Sequence, residues 1–295
     1  MSPGQMTERL FLTRRNMPLR SALLNTYRAL EHTIVPDLRN AHCVYGDVLG
    51  SHVPGADWLD VGCGHHVLRL WQEEQEAGLV SRCHKVVGMD GDFASLQKHR
   101  SIHDRVLGAI DQIPFRDESF DLVTANMVVE HLDAPTIQFC EICRVLKPGG
   151  LFIFHTPNKN GYSTLLARAI PERAKKGLVN LLEKERAAGD VFQTFYKVNT
   201  EQAVRQFAEF AGFEVQELRM VATGANLIIF PPLVICELAL IRLLMAKPFK
   251  TLRTNMIVVL RKRNKLFIER TRRRSTEACQ QVSQWEKKNL SVPVR

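Results

Sequence analysis

The sequence lacks an apolar run long and uncharged enough to read as a membrane span. The nearest approach, residues 227–246, is interrupted by Pro231-Pro232 near its start and carries Glu237 and Arg242. A charge at the bilayer centre costs about 3 kcal/mol or more, so this segment is expected to be a helix capping a pocket, or a monotopic contact with a membrane surface. The first 30 residues hold Arg9, Arg14, Arg15 and Arg20 without a continuous apolar stretch, which argues against a secretory signal. Cysteine is sparse and scattered, with seven in 295 residues, so no disulfide framework is expected and the compartment reads as reducing and cytoplasmic. Cys140 and Cys143 form a lone C-x-x-C with no second pair, and neither an HExxH nor a Cys/His cluster suggests a metal. Their context, FCEICRVL, predicts a helix that buries both thiols. Internal repeats and low-complexity segments are also missing.

What is present is an ordinary globular composition, 45% hydrophobic and 24% charged, in a chain long enough for one large core. The net charge of +9 is concentrated in the last residues, among them Arg261, Lys262, Arg263, Lys265, Arg270, Arg272, Arg273 and Arg274. A basic tail is more often a solvated or membrane-surface feature than a specific reader of nucleic acid. Short apolar runs recur at Trp58–Val61, Lys85–Met89, Arg105–Ala109, Phe120–Ala125, Leu151–His155, Phe213–Leu218 and Asn255–Leu260. Helical patterns separate them, for instance 92–100 behind Asp92, and 200–211 between Thr200 and Gly212. That alternation predicts an α/β architecture with a mostly parallel sheet. Residues 1–55 read as a helical extension and 56–263 as the main domain, interrupted by insertions at 159–198 and 224–253; 264–295 form the basic tail.

The first run, DWLDV, turns at once through Gly62-Cys63-Gly64 into a helix expected near His66. Glycines there permit a tight turn and close approach of backbone to a ligand, and the N–H groups of a helix start are free to make polar contacts. A bare G-x-G is common. Its weight comes from Asp90, an acidic residue at the end of the second run, where a carboxylate can take both hydroxyls of a ribose. Asp60 and Asp90 each have a plainer reading as well, the one capping the next helix and the other turning the chain beside Gly91.

In order and spacing, LDVGCGHH, VVGMD, IPFRDESFDLVTANMVVEHL and RVLKPGGLFIFHTPN resemble the class I S-adenosylmethionine-dependent methyltransferases. The nearest branch is the small-molecule one that includes ubiquinone- and menaquinone-biosynthesis-like enzymes. The resemblance implies a Rossmann-like, doubly wound, seven-stranded sheet, mostly parallel with an antiparallel last strand and helical cap insertions. It implies S-adenosylmethionine as cofactor, with Asp60, Gly62, Cys63 and Gly64 along its methionine part and Asp90 on its ribose. This chain departs from the pattern at His66, where a third small residue is usual. It departs again at Ala109, where an acidic residue commonly holds the adenine, so that contact passes to the backbone of Ile110 or to Asp111.

Methyl transfer from a sulfonium is an in-line displacement to which positioning contributes much, and a base is needed only when the acceptor must lose a proton. His131, after the fourth run and close to Asn126, is the candidate base; its plain reading is a surface histidine. His155, Asn158, Tyr162 and Tyr196 are candidates for facing the acceptor. LKPGG reads as structural, with Lys147 and Pro148 ending a helix and Gly149-Gly150 turning into the fifth strand. The N/D-P-P-Y/F of amino-nucleobase methyltransferases and the Pro-Cys of pyrimidine-carbon enzymes are absent, and a nicotinamide site would place glycine where Val67 stands. The expectation is therefore methylation of a small or lipid-like acceptor, at oxygen, in the cytoplasm and at a membrane surface if the apolar segment docks there. A nucleic-acid methyltransferase using the basic tail and a non-catalytic cofactor-binding partner protein remain the alternatives.

Overall fold

The structure, a computed structural model, describes residues 17–169, 193–225 and 231–263. The basic tail and most of the 159–198 insertion lie outside the described residues. Two helices, α1 (Met17–Ile34) and α2 (Ala41–His52), precede β1 (Asp57–Val61), α3 (Glu73–Val80), β2 (Lys85–Asp90), α4 (Phe93–Gln97) and β3 (Arg105–Leu107). Then come β4 (Phe120–Asn126), α5 (Pro135–Val145), β5 (Leu146–Pro157), α6 (Tyr162–Ala169), α7 (Glu201–Ala211), β6 (Phe213–Val221), α8 (Pro231–Leu244) and β7 (Asn255–Lys262). The strands form one sheet in the order β3-β2-β1-β4-β5-β7-β6. β7 runs antiparallel to both its neighbours, while the pairings among β1 to β5 are parallel. This is the expected doubly wound sheet, and the order reverses between β1 and β4, where open α/β sheets bind ligands.

Period-two alternation divides the strand residues between two cores. Leu59, Val61, Val123, Phe152 and Phe154 face α5 and α7, packing with Val204 of α7, and Phe139 of α5 meets Phe152 of β5 and Phe213 of β6 edge to face. Trp58, Leu122, Ile153, Ile257 and Val259 face the other way, against Val44, Val48 and Leu49 of α2. A third, smaller core joins Tyr27 of α1 and Tyr162 of α6 to Val234, Leu238 and Ile241 of α8, which recur at helical spacing. α8 begins at Pro231, so the proline pair opens the helix instead of breaking it.

Several expected boundaries move, each for a visible reason. No helix starts near His66. Residues 65–69 run as a loop, followed by a 3-10 turn at Leu70–Gln72 and then α3. A buried ion pair holds that loop: Glu76 accepts from Leu68 N (2.8 Å), Arg100 Nε (3.1 Å) and Ser101 Oγ, while Arg100 Nη2 donates to Leu68 O (3.0 Å) and Arg69 O (3.3 Å). Arg100 is thereby drawn out of the predicted 92–100 helix, which ends at Gln97. β3 stops at Leu107, since Ala109 bridges to Gln112 and folds the chain back. LKPGG is already strand, and Lys147 Nζ binds Asp57 Oδ2 (2.7 Å) and Asp121 Oδ2 (2.8 Å) at the starts of β1 and β4. Of the two C-x-x-C thiols only Cys143 is buried; Cys140 lies one residue beyond Phe139, rotated off the buried stripe of α5.

Burial disfavours the Glu76 carboxylate, but the Arg100, Ser101 and Leu68 bonds outweigh that and hold it below the usual glutamate range. Its stabilising contribution is therefore present above that range and is lost as pH falls through it. Glu76→Ala, which takes the carboxylate from part-buried Arg100 while its bonds to Leu68 O and Arg69 O remain, is expected to cost about 3 kcal/mol of stability in urea denaturation.

Candidate functional site

At the carboxyl end of β1, Gly62 (φ +63°) and Gly64 (φ +54°) both adopt the left-handed conformation that favours glycine. A side chain at Gly62 would also strike Val128, whereas nothing stands within 4 Å of where a Cβ on Gly64 would sit. The turn is thus packed on one side and open on the other. Gly62 N and Cys63 N donate to Met89 O (2.7 and 3.2 Å), which ties the turn to the end of β2. Cys63 is buried with its sulfur against Gly88, so it presents backbone to the open side. Asp90 Oδ2 accepts from Gly64 N (2.8 Å) and its Oδ1 from Asp92 N (2.8 Å). Each carboxylate oxygen has two lone-pair directions, so this half-buried group is oriented with acceptor capacity remaining for two hydroxyls.

The strand ends beside the turn carry a row of polar side chains that all face α2. Asp60, paired across the sheet with Thr124, is fully buried and accepts the Thr124 hydroxyl proton. Thr124 Oγ1 accepts in turn from Trp58 Nε1 (2.7 Å). Burial, with the charges of Glu76 and Asp90 nearby, pushes the Asp60 carboxyl up to about 7. One step outward, Asn126 pairs across the sheet with His155, and its Oδ1 meets His155 Nδ1 at 3.0 Å. His42 and Tyr45 of α2 cover this row, with ring centroids 4.9 and 5.6 Å from that of His155. Burial pushes the imidazoles of His42 and His155 down to about 2 and about 3, so both rings are neutral. His42, Tyr45 and Thr124 carried no motif, and only the tertiary packing of α2 on the sheet reveals them.

A second buried network occupies the opposite face. Asn199 Nδ2 donates to Thr156 Oγ1 (2.7 Å), and Thr156 donates to Glu130 Oε2 (2.9 Å), whose carboxyl is raised by burial. Tyr196, at φ +51°, is held by its N–H on Glu130 O (3.2 Å), and His131 Nδ1 meets Gln193 O at 2.8 Å. The structure therefore groups Tyr196 with His131 and groups His155 with Asn126. Ile110 packs its side chain into the core while the exposed Asp111 completes the Ala109–Gln112 turn beyond β3.

Two substrate candidates turn out to be tethers. Asn158 is buried with both amide protons on Thr251 O (2.8 Å) and Arg253 O (2.7 Å), and Tyr162 donates to Glu237 Oε1 (2.9 Å) inside the cap core. Their polar atoms hold the approach to β7 and helix α8, which corrects the expectation that they face an acceptor. A cavity of about 400 Å³ at the β6 edge, lined by Arg39, Leu218, Met220, Met245 and Arg253 among others, shares no residue with the glycine turn. Among the described residues no cluster of His, Cys, Asp and Glu could hold a metal ion.

The site fits an adenosyl cofactor on its own geometry. An open left-handed glycine, an oriented carboxylate 26 residues on and a buried carboxyl ready to ionise beside a cation stand together. Residues 59–154 match the family model described as a methyltransferase domain. Over 112 residues the chain is 30% identical to a malonyl-[acyl-carrier protein] O-methyltransferase of Serratia marcescens, covering 37% of this chain and 41% of that protein. Over 125 residues it is 30% identical to a ubiquinone biosynthesis O-methyltransferase of Burkholderia thailandensis, covering 40% and 51%. The chain spans about half the length of the curated relatives it matches. A solved S-adenosylmethionine dependent methyltransferase of Mesorhizobium loti superposes with a TM-score of 0.48 at 17% identity, covering 75% of this chain and 98% of that one.

Asp60 sets a pH dependence whose sign follows from its environment. A carboxyl raised in the fold is most favourable when neutral, so the free protein loses stability as pH rises from the unfolded value of 3.8 through about 7. A bound cation reverses the preference. Affinity for a cationic adenosyl cofactor is expected to fall below about pH 7, and Asp60→Asn to flatten that slope, as calorimetric titration at several pH values would show.

Proposed function

We propose that the chain transfers a methyl group from S-adenosylmethionine to oxygen on a small-molecule or lipid-like acceptor, a reading supported by the match of residues 59–154 to the methyltransferase-domain model and by a relative named as a probable S-adenosylmethionine-dependent methyltransferase. The cofactor supplies, when bound, a methyl group made electrophilic by its sulfonium. The observation that carries the reading is the Gly64 N–Asp90 bond at the open glycine turn. In it the turn after β1 and the carboxylate after β2 form one surface at the switch point. Asp90 holds the ribose hydroxyls, the backbone from Gly62 to Gly64 follows the methionine portion, and Asp60 balances its positive charge. The Ile110-Asp111 turn closes over the adenine. Asn126 bounds the methyl end, with its Nδ2 fixed on Val67 O at 2.9 Å.

His131 is proposed as the base. Gln193 O accepts from Nδ1, and in the neutral ring that leaves Nε2 as the basic nitrogen. The two relatives named as O-methyltransferases, on an acyl-carrier-protein-bound acid and in ubiquinone biosynthesis, support oxygen as the acceptor atom and a lipid-like or carrier-bound acceptor. The outer face of α8 supports the same acceptor class: Leu233, Ile235, Leu240 and Leu243 are exposed there, with Lys247 and Lys250 just beyond. No helix among the described residues is long and apolar enough to cross a membrane, so contact with one would be peripheral.

The direct test is incubation with methyl-labelled cofactor and fractionated extract, alongside calorimetry. No cofactor binding and no labelled fraction would end the reading. Asp90→Ala is expected to weaken cofactor binding about a hundredfold, given about 1.5–3 kcal/mol for each hydrogen bond to a charged group. His131→Ala should leave cofactor affinity intact and slow transfer by about 10²-fold; undiminished turnover would remove the base. Replacing Leu233 and Leu243 together by serine should reduce co-sedimentation with vesicles containing phosphatidylglycerol while leaving the melting temperature in place.

A further inference from the structure

The cavity of about 400 Å³ at the β6 edge takes no part in the methyl-transfer reading. Four segments distant in sequence meet there. They are the link Asp37–Arg39 between α1 and α2, the start of α7, the carboxyl end of β6, and the stretch that leads from α8 to β7. Leu218 and Met220 of β6, with Ala222 just after it, supply an apolar wall, and Leu38 and Met245 stand alongside. The volume falls within the range of about 300–1,000 Å³ usual for small-molecule sites.

Six charged side chains share the lining, and four of them have an opposite charge beside them. Arg39 binds Asp47, Arg219 binds Glu217, Glu201 accepts from Arg205 (2.8 Å), and Asp37 stands 3.8 Å from Arg242. Lys250 and Arg253 remain. Lys250 is exposed on the 3-10 turn Lys247–Leu252, and its ammonium has no partner among the described residues. Arg253 is half-buried and donates from Nε to Leu244 O (2.9 Å), from Nη1 to Met220 O (3.0 Å) and from Nη2 to Met245 O (2.7 Å). Those bonds fix the plane of the guanidinium, but neutral carbonyls cancel none of its charge, and one N–H on each Nη is left over. The lining thus holds two uncompensated positive charges. One of them is an immobilised planar fork of the kind that grips an oxyanion by two hydrogen bonds.

We propose that this cavity is a second ligand site, which binds a phosphate monoester carried on an apolar chain. Arg253 and Lys250 hold the phosphate, and Leu218, Met220 and Met245 lie along the chain. A phosphate monoester carries about −1.5 to −2 charges at neutral pH, which matches the two free cations, whereas a carboxylate would leave one of them unanswered. A phosphate without a chain would leave the apolar wall in water. The same chemistry is offered by a soluble alkyl phosphate and by a membrane lipid with a terminal phosphate. The site goes beyond methyl transfer and shares no residue with the glycine turn, so it stands or falls separately.

The test is calorimetric titration of the full chain with octyl phosphate at about pH 7.5, above the second phosphate pKa of about 6, with 1-octanol and inorganic phosphate as half-probes. Octyl phosphate is expected to bind one to one, and about tenfold or more tighter than either half-probe. Lys250→Glu should weaken it about tenfold, and Arg253→Lys, which keeps the charge but loses the fork, by a similar factor. Because Lys250 lies exposed on its turn without a partner, its replacement leaves the fold in place even if the Arg253 variant does not. No binding of octyl phosphate, octanol binding as tightly, or an affinity that Lys250→Glu leaves unchanged overturns the site. Co-sedimentation with phosphatidylcholine vesicles, with and without phosphatidic acid, then separates the two sources. Retention that needs phosphatidic acid and is lost in Lys250→Glu assigns the site to a membrane lipid, and octyl phosphate binding without such retention assigns it to a soluble ligand.

Discussion

The arrangement depends on a carboxylate kept out of water. Asp60 sits at the last turn-facing position of β1 on the α2 side of the sheet, and burying it is affordable only because Thr124 reaches across from β4 to donate to it. Thr124 in turn is held by Trp58 Nε1, so one hydroxyl, accepting once and donating once, links the core tryptophan to the site carboxyl. This link spans the β1–β4 boundary, where the strand order reverses. Lys147 closes the opposite end of the same boundary by binding Asp57 and Asp121. The two strands that frame the switch point are thus pinned at both ends by polar contacts and packed between by apolar ones.

The two faces of the sheet do different work. Toward α5 and α7 the face is aromatic, and a buried polar chain, Asn199–Thr156–Glu130, secures the segment that carries Tyr196 and receives His131. Toward α2 the apolar packing gives way, at the carboxyl ends of the strands, to Asp60, Thr124, Asn126 and His155. The Glu76–Arg100 pair belongs to that side too, since it fixes residues 65–69 over the row. Glycine turn, polar row and covering helix therefore share one support.

Much of this was legible in the residues because it is local. Short apolar runs placed all seven strands, Asp92 and Thr200 capped the helices they were expected to cap, and Gly212 closes α7 in the left-handed conformation. Asp90 at the end of β2 and the glycines after β1 stand where their spacing put them. The misplaced elements share a cause, long-range partners. Arg100 leaves its helix for Glu76, and the expected helix at His66 yields to a loop held by that pair. Asn158 and Tyr162 carry side chains fit for an acceptor, but the backbone at 251–253 and Glu237 claim them.

The sequence by itself determined the class of sheet, the position of the glycine turn and the carboxylate that answers it, because each follows from backbone conformation and spacing within one strand–turn unit. Which face each polar side chain shares, and with whom, was decided by the tertiary structure alone. Asp60 meets Thr124 across 64 residues, and His155 meets Asn126 across 29. His42 and Tyr45 reach the row only because α2 packs on that side. Pairing of that kind depends on strand order and register, which no local pattern encodes, and it is what changes a glycine turn from a common connection into the edge of a site.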